Sequence, residues 1–405
     1  MNKQLILLTD SFPFGTKETF LEAEIGFLAN AFESVHLFPL HGEGAFRPQG
    51  TNVVVHTPFL SFNPKDQKRL FIAGLLNLSP LGFALKELVA KSVYKHTVYL
   101  RVWAAALFVL RAAYSNRQRM NELHTLINDE TVVYSYWGDK LALLMPFLKR
   151  LHPSLKSVVR FHGGDLYEER KGGYLPFREW MFPSVQHFVS ISEHGKNYLE
   201  SRYPSFVQNA LLFRLGVADH GLNSYVSQSF FHVVSCSNLI ALKRVHLIAE
   251  ALLTVKISVF WTHIGDGPEM KKLLQMVAAL PSNVKVNLQG QKSNAAVIGF
   301  YQRTPIDCFL NVSESEGVPV SIMEALSFGI PVIATNAGGT GEIVDDKVGK
   351  LLPISIDNHN IADALNALMC EVDSFSLREA ARHRWQELCD ANKNYNEFAH
   401  FLNTL

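Results

Sequence analysis

One stretch decides the fold of this chain, residues 315–339, which are SEGVPVSIMEALSFGIPVIATNAGG. The apolar run CFLNV precedes it and the apolar run PVIAT lies inside it, so two buried strands are expected on either side of a helix. That helix should begin near Pro319, because proline is favoured in a first turn, where its missing N–H costs nothing. Glu316 and Glu324 are then about 12 Å apart if the span between them is fully helical.

The rest of the chain repeats this alternation of strand and helix. Parallel sheets covered by helices on both faces follow from such a pattern. The polar segment GVADHGLNSYVSQSF, residues 216–230, interrupts the alternation. With 405 residues, we expect two doubly wound, Rossmann-like α/β domains that face each other across a cleft. Their bounds are 1–216 and 225–387, with a last helix near 388–405 that crosses back onto the first domain.

The elements expected from apolar runs and periodicity are these. Strands are predicted at 4–9, 34–39, 131–136, 157–162, 187–190, 232–235, 257–264, 284–288, 308–312 and 331–334. Helices are predicted at 18–31, 138–151, 244–253, 268–279, 320–327, 361–369 and 395–405, among others.

Composition excludes several classes of protein. The formal net charge is +1, which argues against bulk nucleic-acid binding. The four cysteines are scattered with no CxxC pair, so neither a zinc site nor a disulfide framework is indicated and a reducing, cytoplasmic setting fits best. The apolar run near the N-terminus is too short for a signal peptide. The chain contains none of the motifs HExxH, GxSxG or GxxxxGK[ST], and Met270 stands where a dinucleotide fingerprint needs its third glycine.

One block is strongly basic as well as apolar. Residues 65–119 contain ten Lys or Arg and two acids, a net charge of +8. Neither apolar segment within the block gives about 20 uninterrupted apolar residues, so a membrane span is not expected. A basic apolar surface that lies on anionic lipid is one interpretation. Two ordinary helices with solvated basic faces are the other.

The spacing of the two glutamates allows two interpretations. About 12 Å is close to the distance between a sugar and a ribose across a diphosphate, and a helix N-terminus offers free amides to an anion. One carboxylate could therefore accept hydrogen bonds from hexose hydroxyls and the other from ribose hydroxyls. Acids are also common in the first turns of helices, and spacing alone favours that simpler explanation.

The residues around the pair resemble the signature of the retaining family-4 glycosyltransferases, which have the GT-B fold and a Glu-x7-Glu motif. HIGDGPEMKKL at 263–273 and NAGGTGEIVDDKVGKLLP at 336–353 resemble the family's neighbouring segments. In the first half DSFPFGTKETFLEAEI, YSYWGDKLAL, VRFHGGDLYEER, VSISEHGKNYL and RLGV occur in the family's order. The resemblance covers nearly the whole chain.

The resemblance implies roles for individual residues. Glu324 is expected to bind the nucleotide ribose and Glu316 to contact the donor sugar near the reacting centre. Lys243 is expected to neutralise the diphosphate, and a cation at the leaving oxygen would stabilise the transition state. The catalytic set is Glu316, Lys243 and His162. The donor-binding set is Gly15, Asn238, Arg244, Gly317, Val318, Val320, Glu324 and Gln289.

Two of these residues, Gly15 and His162, and the nearby Asp165 each allow more than one interpretation. Gly15 closes DSFPFG and would let the backbone approach a phosphate, or it is an ordinary turn glycine. His162 would bind a donor hydroxyl at a strand's carboxyl end, or it is structural. Asp165 would contact the acceptor or, as the preferred explanation, cap a helix.

One position departs from the family's pattern. Asn238 stands where the family usually carries an Arg five residues before Lys243, and an amide brings no charge to the diphosphate. Arg244 or Arg214 could compensate, although Arg244 points about 100° away from Lys243 on a helix. Otherwise donor affinity would be modest or activity lost. Base contacts are expected from LQGQK at 288–292, mostly through the backbone.

The function implied is a retaining glycosyltransferase that moves a hexose from a UDP- or GDP-sugar to a glycan or lipid-linked acceptor. Bacterial polysaccharide or lipopolysaccharide assembly on the cytoplasmic face of the membrane is the expected setting. The first domain would bind the acceptor and the second the donor, without a metal or other cofactor. Two alternatives stay open: a non-catalytic sugar-nucleotide-binding partner of an active transferase, and another GT-B enzyme such as a sugar-nucleotide epimerase.

Overall fold

A computed structural model describes residues 3–60, 81–226, 228–371 and 375–405 of the chain. The chain forms two compact units. The first contains Met1–Phe213 together with Tyr395–Leu405, and the second contains Arg214–Asn394. Residues 65–80 of the basic block lie outside the described ranges, so its prediction is followed below from residue 81 onward.

The first unit is built on a seven-stranded sheet in the order β3-β2-β1-β4-β5-β6-β7. Its strand pairs are parallel. The strands are β1 (Gln4–Thr9), β2 (Ser34–Pro39), β3 (Val53–Val55), β4 (Thr131–Ser135), β5 (Lys156–Phe161), β6 (His187–Ser190) and β7 (Leu211–Leu212). This is the doubly wound order in which the sheet changes direction between β1 and β4.

The second unit repeats the arrangement with six parallel strands in the order β10-β9-β8-β11-β12-β13. Its change of direction lies between β8 and β11. The strands are β8 (Phe231–Cys236), β9 (Val259–Ile264), β10 (Val284–Leu288), β11 (Cys308–Asn311), β12 (Val332–Thr335) and β13 (Gly349–Leu352). Two doubly wound α/β units were expected from the sequence, and this part of the fold prediction is confirmed.

Helices connect the strands of both units. In the first unit they are α1 (Thr19–Ala31), α2 (Leu81–Ala90), α3 (Thr97–Ser115), α4 (Arg117–Leu126), α5 (Met145–Leu151), α6 (Arg178–Met181) and α7 (Glu193–Arg202). In the second they are α8 (His246–Leu252), α9 (Met270–Val277), α10 (Asn294–Arg303), α11 (Val320–Ser327), α12 (Asn358–Glu371) and α13 (Phe375–Leu388). The last helix, α14, is Ala391–Thr404.

Central strands such as QLILLT are apolar without alternation because helices cover both faces of a parallel sheet. The expected bounds are confirmed for β1, β2, β6, β10 and α11. The helix predicted at 138–151 is instead a 3₁₀ helix, Lys140–Leu144, followed by α5. The helix predicted from residue 244 begins at His246, because Arg244 has a left-handed backbone with φ 48°.

The last helix completes the core of the first unit. Phe398 and Leu402 are buried against Leu5 and Leu7 of β1. Phe398 also lies under the guanidinium of Arg160, 4.5 Å from the ring centroid. The C-terminal segment therefore supplies apolar side chains to a sheet whose strands all come from the first 213 residues.

Arg160 carries the main buried charge of the first unit. Its Nη1 lies 2.8 Å from Oε2 of Glu24, and neither side chain is exposed to solvent. Its Nη2 donates to the carbonyl oxygen of Phe213 at 2.9 Å. A buried ion is tolerated when it is paired and hydrogen-bonded, so this arginine joins β5, α1, the end of β7 and the last helix into one packed layer.

Candidate functional site

The loops that follow β8 and β11 meet at the point where the second sheet changes direction. In open parallel sheets, ligands bind beyond the carboxyl ends of the strands at such a switch point. Lys243 ends a short 3₁₀ helix after β8, and Glu316 lies in the loop after β11. Lys243 Nζ and Glu316 Oε1 are 2.5 Å apart, with the two side chains 21% and 10% exposed. Glu316, expected to contact the donor sugar, and Lys243, expected to neutralise the diphosphate, are thus in direct contact.

The loop that carries Glu316 is fixed by its neighbours. Asn311 Nδ2 donates to Glu316 Oε1 at 3.5 Å, and the amide of Glu314 donates to the carbonyl of Leu242 at 2.9 Å. The second contact joins the two loops at the switch point. Glu316 is therefore held from the end of its own strand as well as by Lys243.

The paired glycines after β12 lie against this loop. The amide of Gly339 donates to the carbonyl of Gly317 at 2.7 Å. Gly338 has a left-handed backbone with φ +56°, and a Cβ there would lie 2.0 Å from the carbonyl oxygen of Glu316. Glycine is needed at this position for both its conformation and its size.

Glu324 lies on α11 and is almost completely buried. Asn294, the first residue of α10, donates from Nδ2 to Glu324 Oε1 at 2.6 Å. Burial raises the pKa of Glu324 to about 7, against the opposing effect of the Asn294 hydrogen bond. The sequence does not indicate Asn294 as a partner. Ser293 beside it gives a helix-cap signal, but a cap does not show which carboxylate the next side chain meets.

Two basic residues proposed for the diphosphate are engaged elsewhere. Arg244 donates from Nε to the carbonyl of Val312 at 2.9 Å and from Nη1 to that of Ile354 at 2.8 Å. Arg214 donates to Glu342 at 2.8 Å. Asn238, at the position of the family's usual arginine, is exposed to solvent. A diphosphate contact by Arg244 stays a prediction, and the structure gives this side chain a role in joining loops.

The glycines of HIGDGP pack closely against the loop that follows β8. Gly265 has φ +146°, and a Cβ there would lie 1.9 Å from the carbonyl oxygen of Ser237. Its amide donates to the carbonyl of Gly290 at 2.9 Å, and the amide of Gln289 donates to the carbonyl of His263 at 2.9 Å. In the segment expected to contact the base, residues 288–292, the backbone amide of Gln289 is therefore already hydrogen-bonded within the second unit. The Gln289 side chain is half-buried.

His263 is a buried polar residue at the end of β9 that the sequence did not single out. Its Nδ1 lies 2.8 Å from Ser235 Oγ, which also accepts from Trp261 Nε1 at 3.0 Å. Burial lowers the pKa of His263 to about 4, so the ring is neutral at physiological pH. This chain of contacts fixes the strand end from which the GDGP turn departs.

Gly317, Val318 and Val320 surround the N-terminus of α11. Val318 is buried, whereas Gly317 and Val320 are half-buried. Pro319 occupies the N-cap position with extended backbone, and the helix begins at Val320. Pro319 therefore precedes the first turn and is not part of it. Contacts between these residues and a donor stay predictions.

In the first unit, Gly15 has φ +67° and its amide donates to the carbonyl of Ala45 at 2.9 Å. A Cβ at Gly15 would lie 2.8 Å from the carbonyl oxygen of Glu43. The glycine therefore allows close packing against the chain near residue 44. Direct approach of its backbone to a phosphate stays a prediction, but its own amide is already used.

His162 follows β5 and is buried between two aromatic rings, with centroids 4.6 Å from Tyr136 and 4.5 Å from Trp137. Burial and the nearby Arg160 lower its pKa well below the usual value, so the ring is neutral. Among the residues that the structure describes, neither ring nitrogen has a hydrogen-bond partner. A neutral imidazole offers one donor and one acceptor, which suits a hydroxyl group.

Asp165 does not cap a helix, so the preferred sequence interpretation was wrong. Its carboxylate accepts from the amide of Gly138 at 2.6 Å and from the amide of His162 at 2.8 Å. Burial, followed by the charge of Asp139, raises the pKa of Asp165 to about 6. The residue fastens the loop after β4 to the loop after β5.

Comparison with known proteins finds a similarity in the second unit. Residues 227–385 match the family model described as "Glycosyl transferases group 1". The second unit is similar to group 1 glycosyltransferases. Among curated relatives, the chain is 25% identical over 198 residues to N-acetyl-alpha-D-glucosaminyl L-malate synthase of Bacillus anthracis, which covers 48% of this chain and 51% of that protein. The chain thus spans about half the length of this relative.

Two solved structures that align with 98% and 99% of the chain show the same type of fold. The apo form of the lipopolysaccharide outer core galactosyltransferase WaaB superposes with a TM-score of 0.67 at 16% identity, covering 98% of this chain and 99% of that one. Anabaena Alr3699/HepE in complex with UDP superposes with a TM-score of 0.66 at 17% identity, covering 99% and 100%. At these identities the similarity establishes the GT-B type of fold and nothing about substrate.

We predict that Gly338→Ala disturbs the Glu316 loop. The left-handed backbone alone would cost about 1–2 kcal/mol, and displacement of the Glu316 carbonyl would add to that cost. Unfolding by denaturant measures the loss. Gly221→Ala is the matched control, because Gly221 has φ +86° with nothing within 4 Å of its Cβ position. Equal losses in the two variants would contradict the close approach of residues 316 and 338.

Proposed function

We propose that the protein is a glycosyltransferase that moves a hexose from a nucleoside-diphosphate sugar to a hydroxyl of a glycan or lipid-linked acceptor. The contact between Lys243 and Glu316 carries this proposal. It lies at the switch point of the unit that matches the family model. The first unit would bind the acceptor and the second the donor.

The chemistry that suits this contact is departure of a nucleoside diphosphate. Breaking the glycosidic bond places growing negative charge on the leaving phosphate oxygen, and a fixed cation lowers the barrier by stabilising that charge. In the free protein the ammonium of Lys243 is balanced by Glu316. A bound diphosphate would take over as its partner and release Glu316 to accept hydrogen bonds from sugar hydroxyls. The expectation that no metal ion is needed stays a prediction.

We propose a retaining reaction in which the acceptor hydroxyl attacks from the face that the diphosphate leaves. A double displacement would need a carboxylate nucleophile, as in retaining glycosidases. Glu316 is the acid with a claim to that role, and its contact with Lys243 suits it better to recognising the sugar. The anomeric configuration of the product, determined by NMR, tests this mechanism, and an inverted product would refute it.

We predict that Lys243→Ala and Glu316→Ala each reduce donor turnover by about 10²–10³-fold, the usual cost of removing a group that stabilises transition-state charge. Hydrolysis and transfer would be followed with a panel of UDP- and GDP-sugars and a crude membrane acceptor. Lys285→Ala is the matched control, because Lys285 is exposed on β10.

The same assay separates the alternative functions. Donor binding without turnover in the wild-type protein would favour a non-catalytic partner subunit, in which the exposed amide at Asn238 reflects lost activity. Conversion of the donor sugar without any acceptor would favour an epimerase. Turnover that survives both alanine substitutions would contradict the assignment of the site.

We predict that nucleoside diphosphate binds more tightly as the pH rises through about 7. Glu324 would accept two ribose hydroxyls as a carboxylate, and its pKa of about 7 leaves it increasingly protonated below that pH. Calorimetric titrations with UDP and GDP at pH 6, 7 and 8 measure the effect. Glu324→Gln should bind weakly at all three values, so a steep pH dependence that persists in this variant would contradict the role.

A membrane-bound acceptor is proposed from the surface of the first unit. Residues 81–119 contain seven Lys or Arg and a single acid, Glu87. That acid is buried and accepts from the amide of Phe177 and the hydroxyl of Tyr174, so it adds no charge to the surface. Residues 81–119 also expose large apolar side chains, which are Leu85, Val89, Tyr94, Val98, Leu100 and Phe108.

Within the described ranges, α3 is long and apolar enough to cross a bilayer by length and composition, and 22% of its apolar window is buried. Its exposed basic residue Arg101 argues for a helix that rests on a surface. We therefore propose a peripheral, cytoplasmic location on anionic lipid. Surface polysaccharide or lipopolysaccharide assembly is the proposed setting.

We predict that the protein sediments with vesicles of phosphatidylglycerol but not with those of phosphatidylcholine. Lys95→Gln with Arg101→Gln should weaken binding by roughly 30-fold, since each basic side chain near an anionic surface contributes about 1 kcal/mol. The pair Lys271→Gln with Lys285→Gln removes the same charge from exposed positions of the second unit. Equal binding by the two double variants would contradict this surface.

A further inference from the structure

We propose that Glu18 is a built-in anion that shapes the loop after β1 and, through Trp137, the neighbouring strand end. The effect of Glu18 on activity rests on the proposed function, because it requires that the ends of β1 and β4 lie at the site of the reaction. Neither the sequence motifs nor the family match, which covers 227–385, assigns any role to Glu18. It is a positioning residue and not a catalytic one.

The carboxylate of Glu18 is buried and accepts hydrogen bonds from three successive backbone amides. Oε1 accepts from Asp10 at 3.0 Å, and Oε2 accepts from Ser11 and Phe12 at 2.6 Å each. Three consecutive amides that converge on one point form a concave anion site of the kind that binds phosphate in other proteins. Here the anion belongs to the protein itself.

The remaining amides of the loop are also used. Phe14 donates to the carbonyl of Ser11 at 2.7 Å, and Gly15 donates to that of Ala45 at 2.9 Å. Pro13 has no amide hydrogen. Between Asp10 and Gly15, every backbone N–H therefore has an acceptor inside the first unit, and the loop takes its shape without a bound phosphate.

The same carboxylate reaches the end of β4. The indole Nε1 of Trp137 donates to Glu18 Oε1 at 2.5 Å. Trp137 in turn packs against the ring of His162, with centroids 4.5 Å apart. Glu18 thus connects the loop after β1 to Trp137, which packs against the ring of His162. Both ring nitrogens of His162 are buried without a hydrogen-bond partner in the described part of the chain.

The backbone of Glu18 shows that this position is held by its side chain. Its φ of 54° and ψ of 44° place it in the left-handed region, directly before α1. A non-glycine residue there is strained by about 1–2 kcal/mol. Hydrogen bonds to a charged acceptor are the stronger kind, so four strong N–H contacts offset that strain.

Truncation of Glu18 should therefore leave an empty anion site, which a small carboxylate can refill. We expect Glu18→Ala to lower the melting temperature and to reduce kcat/KM for donor turnover about 10- to 100-fold, because several charge-assisted hydrogen bonds are lost. Sodium formate should restore both quantities, because formate binds the folded variant and not the unfolded chain. Sodium chloride at equal ionic strength is the salt control.

Three further variants sharpen the test. Glu18→Gln fills the site but can accept on one side only, so it should be impaired and formate should not restore it. Glu18→Gly removes the backbone strain together with the carboxylate and gives a second rescue variant if Glu18→Ala folds poorly. Glu22→Ala removes an exposed acid from the first turn of α1, and neither the loss nor the rescue is expected there.

The readouts separate this inference from the proposed function. Recovery of melting temperature and kcat/KM by formate in Glu18→Ala or Glu18→Gly, but not in Glu18→Gln, supports it. Absence of recovery, or equal stabilisation of the wild-type protein, overturns it, as does recovery of stability without activity in an active enzyme. If the wild-type protein turns over no donor, the proposed function fails, and the melting series still decides whether Glu18 fills an anion site. Slow hydrogen exchange of the Ser11 and Phe12 amides in the wild-type protein is required in every case.

Discussion

The carboxyl ends of parallel strands leave backbone amides that the sheet itself cannot satisfy, and this constraint governs both units. Where a doubly wound sheet changes direction, the loops from two neighbouring strands turn to opposite faces and open a crevice between them. Backbone amides that are buried beside such a crevice need acceptors. The first unit fills it with Glu18, which links the loop after β1 to Trp137 after β4. The second places the ion pair of Lys243 and Glu316 there.

The two solutions differ in what a ligand can change. The amides around Glu18 and Asp165 are saturated by side chains of the same unit, so those loops are preset. In the second unit, the proposed function has a bound diphosphate replace Glu316 as the partner of the Lys243 ammonium. Glu324 is similarly poised, because burial holds its pKa near neutrality with one amide from Asn294 as its partner. Loops whose amides are already paired in the first unit, together with an ion pair in the second, suit the proposed reaction, in which a charged leaving group binds and departs.

Much of the fold could be predicted from the sequence because parallel strands buried on both faces are plain apolar runs. The bounds of β1 and β6 followed from such runs, whereas β10 lies at the edge of its sheet and alternates, with Lys285 exposed. The strands β3 and β7 were missed, since two or three residues carry too little pattern, and β13 was missed because Gly349 and Lys350 leave it only two apolar residues. A single helix was expected at 138–151, but the structure has a 3₁₀ helix followed by α5. The 3₁₀ helix begins at Lys140, which has a positive φ that an α-helix does not allow.

The candidate site was predictable in its charged residues and not in their partners. Glu316 and Lys243 were identified from motif and resemblance, but a linear pattern cannot show that they touch each other in the free protein. Asp165 was misassigned for the same reason. A carboxylate near a loop caps a helix or joins two loops, depending on which amides the fold brings to it. The Gly138 amide that donates to Asp165 lies 27 positions away in the sequence, so no local pattern indicates it.

The discontinuity of the first unit has a consequence for synthesis on the ribosome. Its strands are complete by Phe213, yet Phe398 and Leu402, which cover β1 and the guanidinium of Arg160, are translated only after the whole second unit. Until then, α1 covers this face of the sheet through Leu21, Ile25 and Leu28, and the part that the last helix packs against stays exposed. The second unit, by contrast, is continuous from Arg214 to Asn394, so it needs no segment that is translated later.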